Sequence, residues 1–246
     1  MLRRVIAVVL TYVAVTVGPA WAADPSDLDI ALGLSKLLQS ARAVISAEQD
    51  RINNAAVGDK GLTGDVVLSR GTSAFKEATG TDAMSIDPKS RYGKLLAAEM
   101  TAIRDVMTEA QSTINKAGVG FKGFVPAVFG RLVTEHFQQL AAGDAEIKVT
   151  APPELVRNRK ARPDEWEISA IRDRLDKPDW EKGKVYSAEA KKGTRDAFRV
   201  AVPEYYTQGC LSCHGTPKGE LDVTGYPKEG GKLGDLGGVI SVTLYR

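Results

Sequence analysis

Residues 197–206 read AFRVAVPEYY, and residues 236–245 read LGGVISVTLY. Both runs are dense in β-branched and aromatic side chains and are bounded by glycine and turn residues, so both predict strands. The second is led in by Gly234, Gly237 and Gly238. Upstream, AEIKVT at 145–150 alternates apolar and polar as a half-buried strand does. Lys184 to Ala188 predicts another strand, and 163–175 a short helix opened by Pro163 and Asp164.

The N-terminal half has a different period. Leu34, Leu37, Leu38, Ala41, Ile45 and Ile52 recur at helical spacing and predict one helix over 26–53, with Asp24 or Ser26 as cap. Leu96, Met100, Ile103, Met107, Ala110 and Ile114 alternate steps of four and three, a second helix over 92–116. A third starts at Pro126, with Phe129, Leu132, Val133, His136, Phe137 and Leu140 on its apolar face, and Gly143 ends it. Residues 54–90 are rich in Gly, Asp, Ser and Thr and read as loop with short turns. No internal repeat is read. Helices first and neighbouring strands later predict an α+β fold, an antiparallel sheet flanked by helices with a long N-terminal helical layer. The expected division is 1–22 as leader, 23–143 as the helical part and 144–246 as the remainder of the same domain.

Arg3 and Arg4, the 13-residue apolar run Val5 to Val17 and Ala20-Trp21-Ala22 have the anatomy of a secretory signal cut after Ala22. The run is shorter than the roughly 18–20 residues that span a bilayer, so export to the periplasm without stable membrane insertion is expected. Of 33 basic residues two fall in the leader, which leaves 31 against 31 acidic ones. A field suited to nucleic acid is therefore not expected.

The chain has two cysteines and two histidines, and three of these four form one motif: Cys210-Leu211-Ser212-Cys213-His214. C-x-x-C-H is the attachment spacing of a c-type haem. The turn puts both thiols on one side, within reach of the two vinyl groups on a porphyrin edge, and aims the imidazole of His214 at the iron. Gly209 and Gly215 would let the backbone approach the flat macrocycle. Three rivals are weaker. A thioredoxin-type C-x-x-C opens a long helix, whereas Gly215, Thr216 and Pro217 stop one here. A structural zinc site needs four ligands, and a C-x-x-C disulfide is strained.

Around the motif, and farther upstream, the sequence resembles a bacterial haem-binding family first catalogued as a domain of unknown function, with a fold similar to PAS sensor domains. The matching segments are Phe121 to Ala127, Glu146 to Thr150, Arg157-Asn158 and Pro163 to Glu167, then Phe198-Arg199, Pro203 to Tyr206, Cys210 to Gly215, Gly225-Tyr226-Pro227, Gly234-Asp235 and Ser241-Val242. The resemblance implies a PAS-like sheet cradling one covalent haem c, in a periplasmic protein or a sensor module. Two departures matter: Arg159 and Ala161 stand where the family often has Pro and Asn, and no third Cys exists to act as the second axial ligand.

For that sixth position the chain offers His136, Met84, Met100 and Met107, a lysine, or an open or water-bound site. Arg157, Arg159 and Arg199 are candidates for propionate pairing, and Tyr205, Tyr206 and Tyr226 for packing on the ring. The expected site is therefore Cys210, Cys213, His214, Arg157, Arg199 and Tyr226, with His214 and His136 on iron. The expected function is a mono-haem c-type cytochrome exchanging electrons with a redox partner protein. The alternative is a haem-based redox or small-ligand sensor acting through a membrane signalling protein. An enzyme is not expected, and no output domain is expected after Arg246.

Overall fold

The computed structural model describes residues 25–246; the leader read at 1–22 lies outside them. Helix α1 spans Asp27–Ala47 and a single turn α2 spans Gln49–Ile52. Ser26 caps α1 in a reciprocal box with Asp29. Helix α3 spans Gly64–Thr79, α4 Arg91–Ile114 and α5 Pro126–Leu140. Strand β1 (Ala145–Thr150) is followed by the short helix α6 (Glu165–Ala170), which runs into a π-helical turn, Ile171–Leu175. Then come β2 (Tyr186–Lys192), β3 (Arg195–Tyr205), the one-turn helix α7 (Leu211–His214) and β4 (Leu236–Tyr245).

The sheet is antiparallel throughout, in the order β1-β4-β3-β2. β4 lies inside it and is buried from Val239 onward: Ile240, Val242 and Leu244 meet the helical core, and the alternating Ser241 and Thr243 are buried on the opposite face. The helices cover one face. Leu34, Leu37, Ile103, Phe129 and Phe137 share a core with Val200, Ile240, Val242 and Leu244. The other face carries a smaller cluster of Ala170, Ile171, Leu175, Ala201 and Val239, with Trp166 stacked on Tyr186 at 5.8 Å. The chain is thus α+β as read.

Helix α3 corrects the reading of 54–90 as loop. Its glycines are contact points rather than turn signals. A Cβ on Gly71 would stand 3.3 Å from Ala41 Cα, and one on Gly64 would lie 2.5 Å from the Arg104 carbonyl oxygen. Thr63 caps the helix, Gly80 closes it in the left-handed region, and Val67, Leu68 and Phe75 form its buried stripe.

The helical layer also contains a repeat that the sequence reading missed. Residues 49–62 (QDRINNAAVGDKGL) and 111–124 (QSTINKAGVGFKGF) match at eight of fourteen positions. Their contacts are reciprocal. The Lys60 N–H donates to Asn115 Oδ1 and the Lys122 N–H to Asn53 Oδ1, both at 2.9 Å. Gln49 Nε2 donates to the Phe124 carbonyl at 3.1 Å, and Gln111 Nε2 to the Leu62 carbonyl at 3.0 Å. Each buried ammonium is capped within its own loop, Lys60 by the carbonyls of Asn54 and Val57, Lys122 by those of Lys116 and Val119. Mutual exchange of equivalent contacts is the signature of a twofold relation. Here it relates the hairpin of α1 and α3 to that of α4 and α5.

Candidate functional site

Strand β3 ends at Tyr205, and Thr207 starts a 3₁₀ turn, Gln208–Cys210, that leads into α7. The single turn of α7 carries Cys213 and His214, with Cys210 at its start. Both thiols are free and partly exposed. The Thr207 hydroxyl lies 3.3 Å from Cys210 Sγ. Gly215 ends the turn for a steric reason: a Cβ there would be 2.4 Å from the Leu211 carbonyl oxygen. At Gly209, by contrast, the nearest protein atom to such a Cβ is the Thr207 hydroxyl at 4.0 Å.

The chain then makes a hairpin-like excursion and returns. The Leu221 and Pro227 pair is its bridge, and the Gly225 N–H donates to the Asp222 carbonyl at 3.0 Å to turn it. On the way back the Gly230 N–H donates to the Gly215 carbonyl at 3.0 Å and the Gly231 N–H to the His214 carbonyl at 2.8 Å. These two bonds bring Glu229 beside the imidazole. Glu229 Oε2 lies 2.9 Å from His214 Nδ1, so Nε2 is the ring nitrogen left for a metal.

Arg157, in the loop after β1, ties the excursion together. Its Nε donates to Glu229 Oε1 at 2.8 Å, its Nη1 to Asp222 Oδ2 at 2.6 Å, and its Nη2 to the Cys213 carbonyl at 2.9 Å. Its guanidinium carbon also lies 5.4 Å from the Tyr226 ring centroid. Burial alone would raise the Asp222 carboxyl, but hydrogen bonds from the Thr224 hydroxyl, Arg157 and the N–H groups of Thr224 and Tyr226 hold it well below the usual carboxylate range. Glu229 is likewise held below its ordinary value, because bonding to Arg157 and the nearness of His214 outweigh its burial.

Tyr206 forms the wall behind His214. The two rings stack with centroids 5.1 Å apart. The tyrosine is slotted between glycines: a Cβ on Gly231 or Gly237 would fall 2.5 or 2.1 Å from its ring carbons. Its hydroxyl is buried without a hydrogen-bond partner, and burial pushes its pKa up to about 12. Leu221, Val223, Tyr226 and Leu233 in the same segment are large apolar side chains left exposed.

Of the residues expected at the site, Cys210, Cys213, His214, Arg157 and Tyr226 come together. The three nitrogens of Arg157 are already bonded within the protein, so its role is to brace the turn. Arg199 lies elsewhere. It is buried on the second face of the sheet, with Nη2 2.7 Å from Asp164 Oδ2 and 3.4 Å from Glu167 Oε1, under the Trp166 ring. His136 faces α4, with Nε2 3.4 Å from Asp105 Oδ2. Glu229 and Asp222 were not read from the sequence; the available signal was a carboxylate set between Pro227 and the pair Gly230-Gly231. Among the described residues no three His, Cys, Asp or Glu side chains gather as a metal cluster, and no helix is long and apolar enough to cross a membrane.

Comparisons with curated proteins and with solved structures returned no match. A family model described as Tll0287-like matches residues 86–244. That span takes in α4, α5, nearly the whole sheet and every member of the Arg157, Glu229 and His214 cluster, well over half of the 246 residues. The chain therefore belongs to the Tll0287-like family.

Proposed function

We propose that the protein is an exported, periplasmic mono-haem c-type cytochrome in which Cys210 and Cys213 hold the porphyrin by thioether bonds and His214 ligates the iron through Nε2. One observation carries the reading: in a C-x-x-C-H turn with two free thiols, the far nitrogen of the imidazole is fixed by a carboxylate and the near one is left available. The surroundings fit a haem. The orphaned Tyr206 hydroxyl and the exposed Leu221, Val223, Tyr226 and Leu233 lie in the segments that flank the motif, where a large, mostly apolar disc with polar propionates gives them partners. The antiparallel sheet covered by helices on one face agrees with a PAS-like scaffold.

When bound, the haem supplies a one-electron couple. The chain's own residues hold and orient it. Cys210 and Cys213 anchor one edge, Glu229 and Tyr206 fix the plane of His214, and Arg157 locks the loop that carries Glu229 to the turn that carries Cys213. The two thiols are partly exposed, so the haem edge they hold reaches the surface where a redox partner protein can meet it. His136, already directed at Asp105, is not needed as a ligand.

The test is expression with c-haem maturation machinery. The mature protein is expected to be red, to gain the mass of one haem, and to give a c-type pyridine haemochrome. Cys210→Ala with Cys213→Ala abolishes the covalent band, and His136→Ala leaves the spectrum unchanged. A colourless protein of apoprotein mass refutes the reading.

A further inference from the structure

We propose that Glu229 is the positioning residue that sets the redox potential of the iron held by His214, lowering it by loading negative charge onto the far side of the imidazole. The inference rests on the haem reading above.

Both oxygens of the Glu229 carboxylate are used. Oε2 lies 2.9 Å from His214 Nδ1, and Oε1 accepts from Arg157 Nε at 2.8 Å. A carboxylate held at both ends cannot swing away, so the ring it faces keeps one orientation. With a carboxylate as acceptor at Nδ1, the imidazole becomes a stronger electron donor at Nε2 than it would be against a neutral carbonyl. A stronger donor stabilises the ferric form over the ferrous one.

The surrounding charge acts in the same direction. Asp222 and Glu229 share one guanidinium, that of Arg157, so two carboxylates and one cation leave a net −1 beside the iron ligand. The group is screened from water: the Asp222 side chain is fully covered and that of Glu229 is 15% exposed. Arg157 thus has two opposed effects. It pins the carboxylate in place and draws part of its charge. Glu220, in the same excursion, is the natural control: it is half exposed, paired with Lys228 at 3.1 Å and bonded to no site residue.

The experiment is a spectroelectrochemical titration of the haem-loaded full-length protein at fixed pH, with Glu229→Gln, Glu229→Asp and Glu220→Gln compared to wild type. Glu229→Gln keeps the shape and removes the charge. At an ambient potential near the wild-type midpoint, its reduced-to-oxidised ratio is expected to rise about tenfold, which is 59 mV for a one-electron couple. Glu229→Asp, with its shorter reach, shifts the same way by less, and Glu220→Gln does not shift. The electron paramagnetic resonance g-values of the ferric protein move in the Glu229 variants alone. If Glu229→Gln does not load haem, Glu229→Asp gives the answer. A haem-bearing Glu229 variant that titrates with wild type overturns this proposal and leaves the cytochrome reading intact, whereas a wild type without haem overturns both.

Discussion

Arg199 on β3 meets Glu167 on α6 beneath the sheet, with 1% and 0% of their side chains exposed. Asp164 shares the guanidinium at 2.7 Å, and the Trp166 ring lies 4.4 Å from its carbon. Without Arg199, Glu167 keeps only the Lys148 ammonium, 2.5 Å from its Oε2, as a cation, and its Oε1 loses its partner. Arg199→Met is expected to cost about 1–3 kcal/mol, and Arg199→Met with Glu167→Leu less than the single change. Urea denaturation of the two variants checks this. Equal midpoints for Arg199→Met and wild type would show the pair to be inert.

The reciprocal loops predict paired effects. Asn53→Ala removes the acceptor of the Lys122 N–H, and Asn115→Ala that of the Lys60 N–H. Each variant is expected to lose about 1–3 kcal/mol, the cost of leaving a buried donor unmade. Thermal unfolding of both, side by side, tests whether the two joints are equivalent. A large loss in one and none in the other would show that they are not.

Glu99 on α4 is fully buried, and neither of its oxygens has a hydrogen-bond partner. Burial pushes its pKa well above the ordinary value. The folded protein therefore binds a proton that the unfolded chain has released, so this residue costs stability progressively as pH rises past the ordinary carboxyl pKa. Its counterpart in the other hairpin is Leu37, which is also fully buried. Glu99→Leu is expected to stabilise the protein at pH 7 by roughly 1–3 kcal/mol and to flatten that dependence. Denaturant midpoints at pH 5 and pH 8 decide it.

Asp222 has the opposite sign. Its folded pKa is depressed, so the stability from its bonds to Arg157 and Thr224 is fully present above the unfolded carboxyl value, about 3.9, and is lost as the pH falls through the folded one. Asp222→Asn is expected to lower stability at pH 7 while losing less than wild type on acidification. Melting curves from pH 7 down to pH 3 would show the two proteins converging.

The strands β1 and β4 were legible to the residue, because alternation in AEIKVT and a β-branched run in VISVT leave little else to form. Helix α3 was obscured because Gly64 and Gly71 serve close helix contacts, which composition cannot tell from turns. The repeat was hidden because its helices diverged while its loops did not: Gly71 stands opposite Val133, and Leu37 opposite Glu99. At the site, Cys210, Cys213 and His214 were legible from spacing alone. Glu229 and Asp222 were not, since they meet Arg157 across 72 and 65 positions of sequence and a lone loop carboxylate is usually solvated.

The interlocked loops around Lys60 and Lys122 look like surface connections between helices, yet neither can open without releasing a bond held by the other. The amide hydrogens of Lys60 and Lys122 should thus exchange with deuterium far more slowly than those of the exposed residues around them, because their release requires the two hairpins to separate. In protection terms, two lysines in the most loop-like stretches of the N-terminal half belong to its interior.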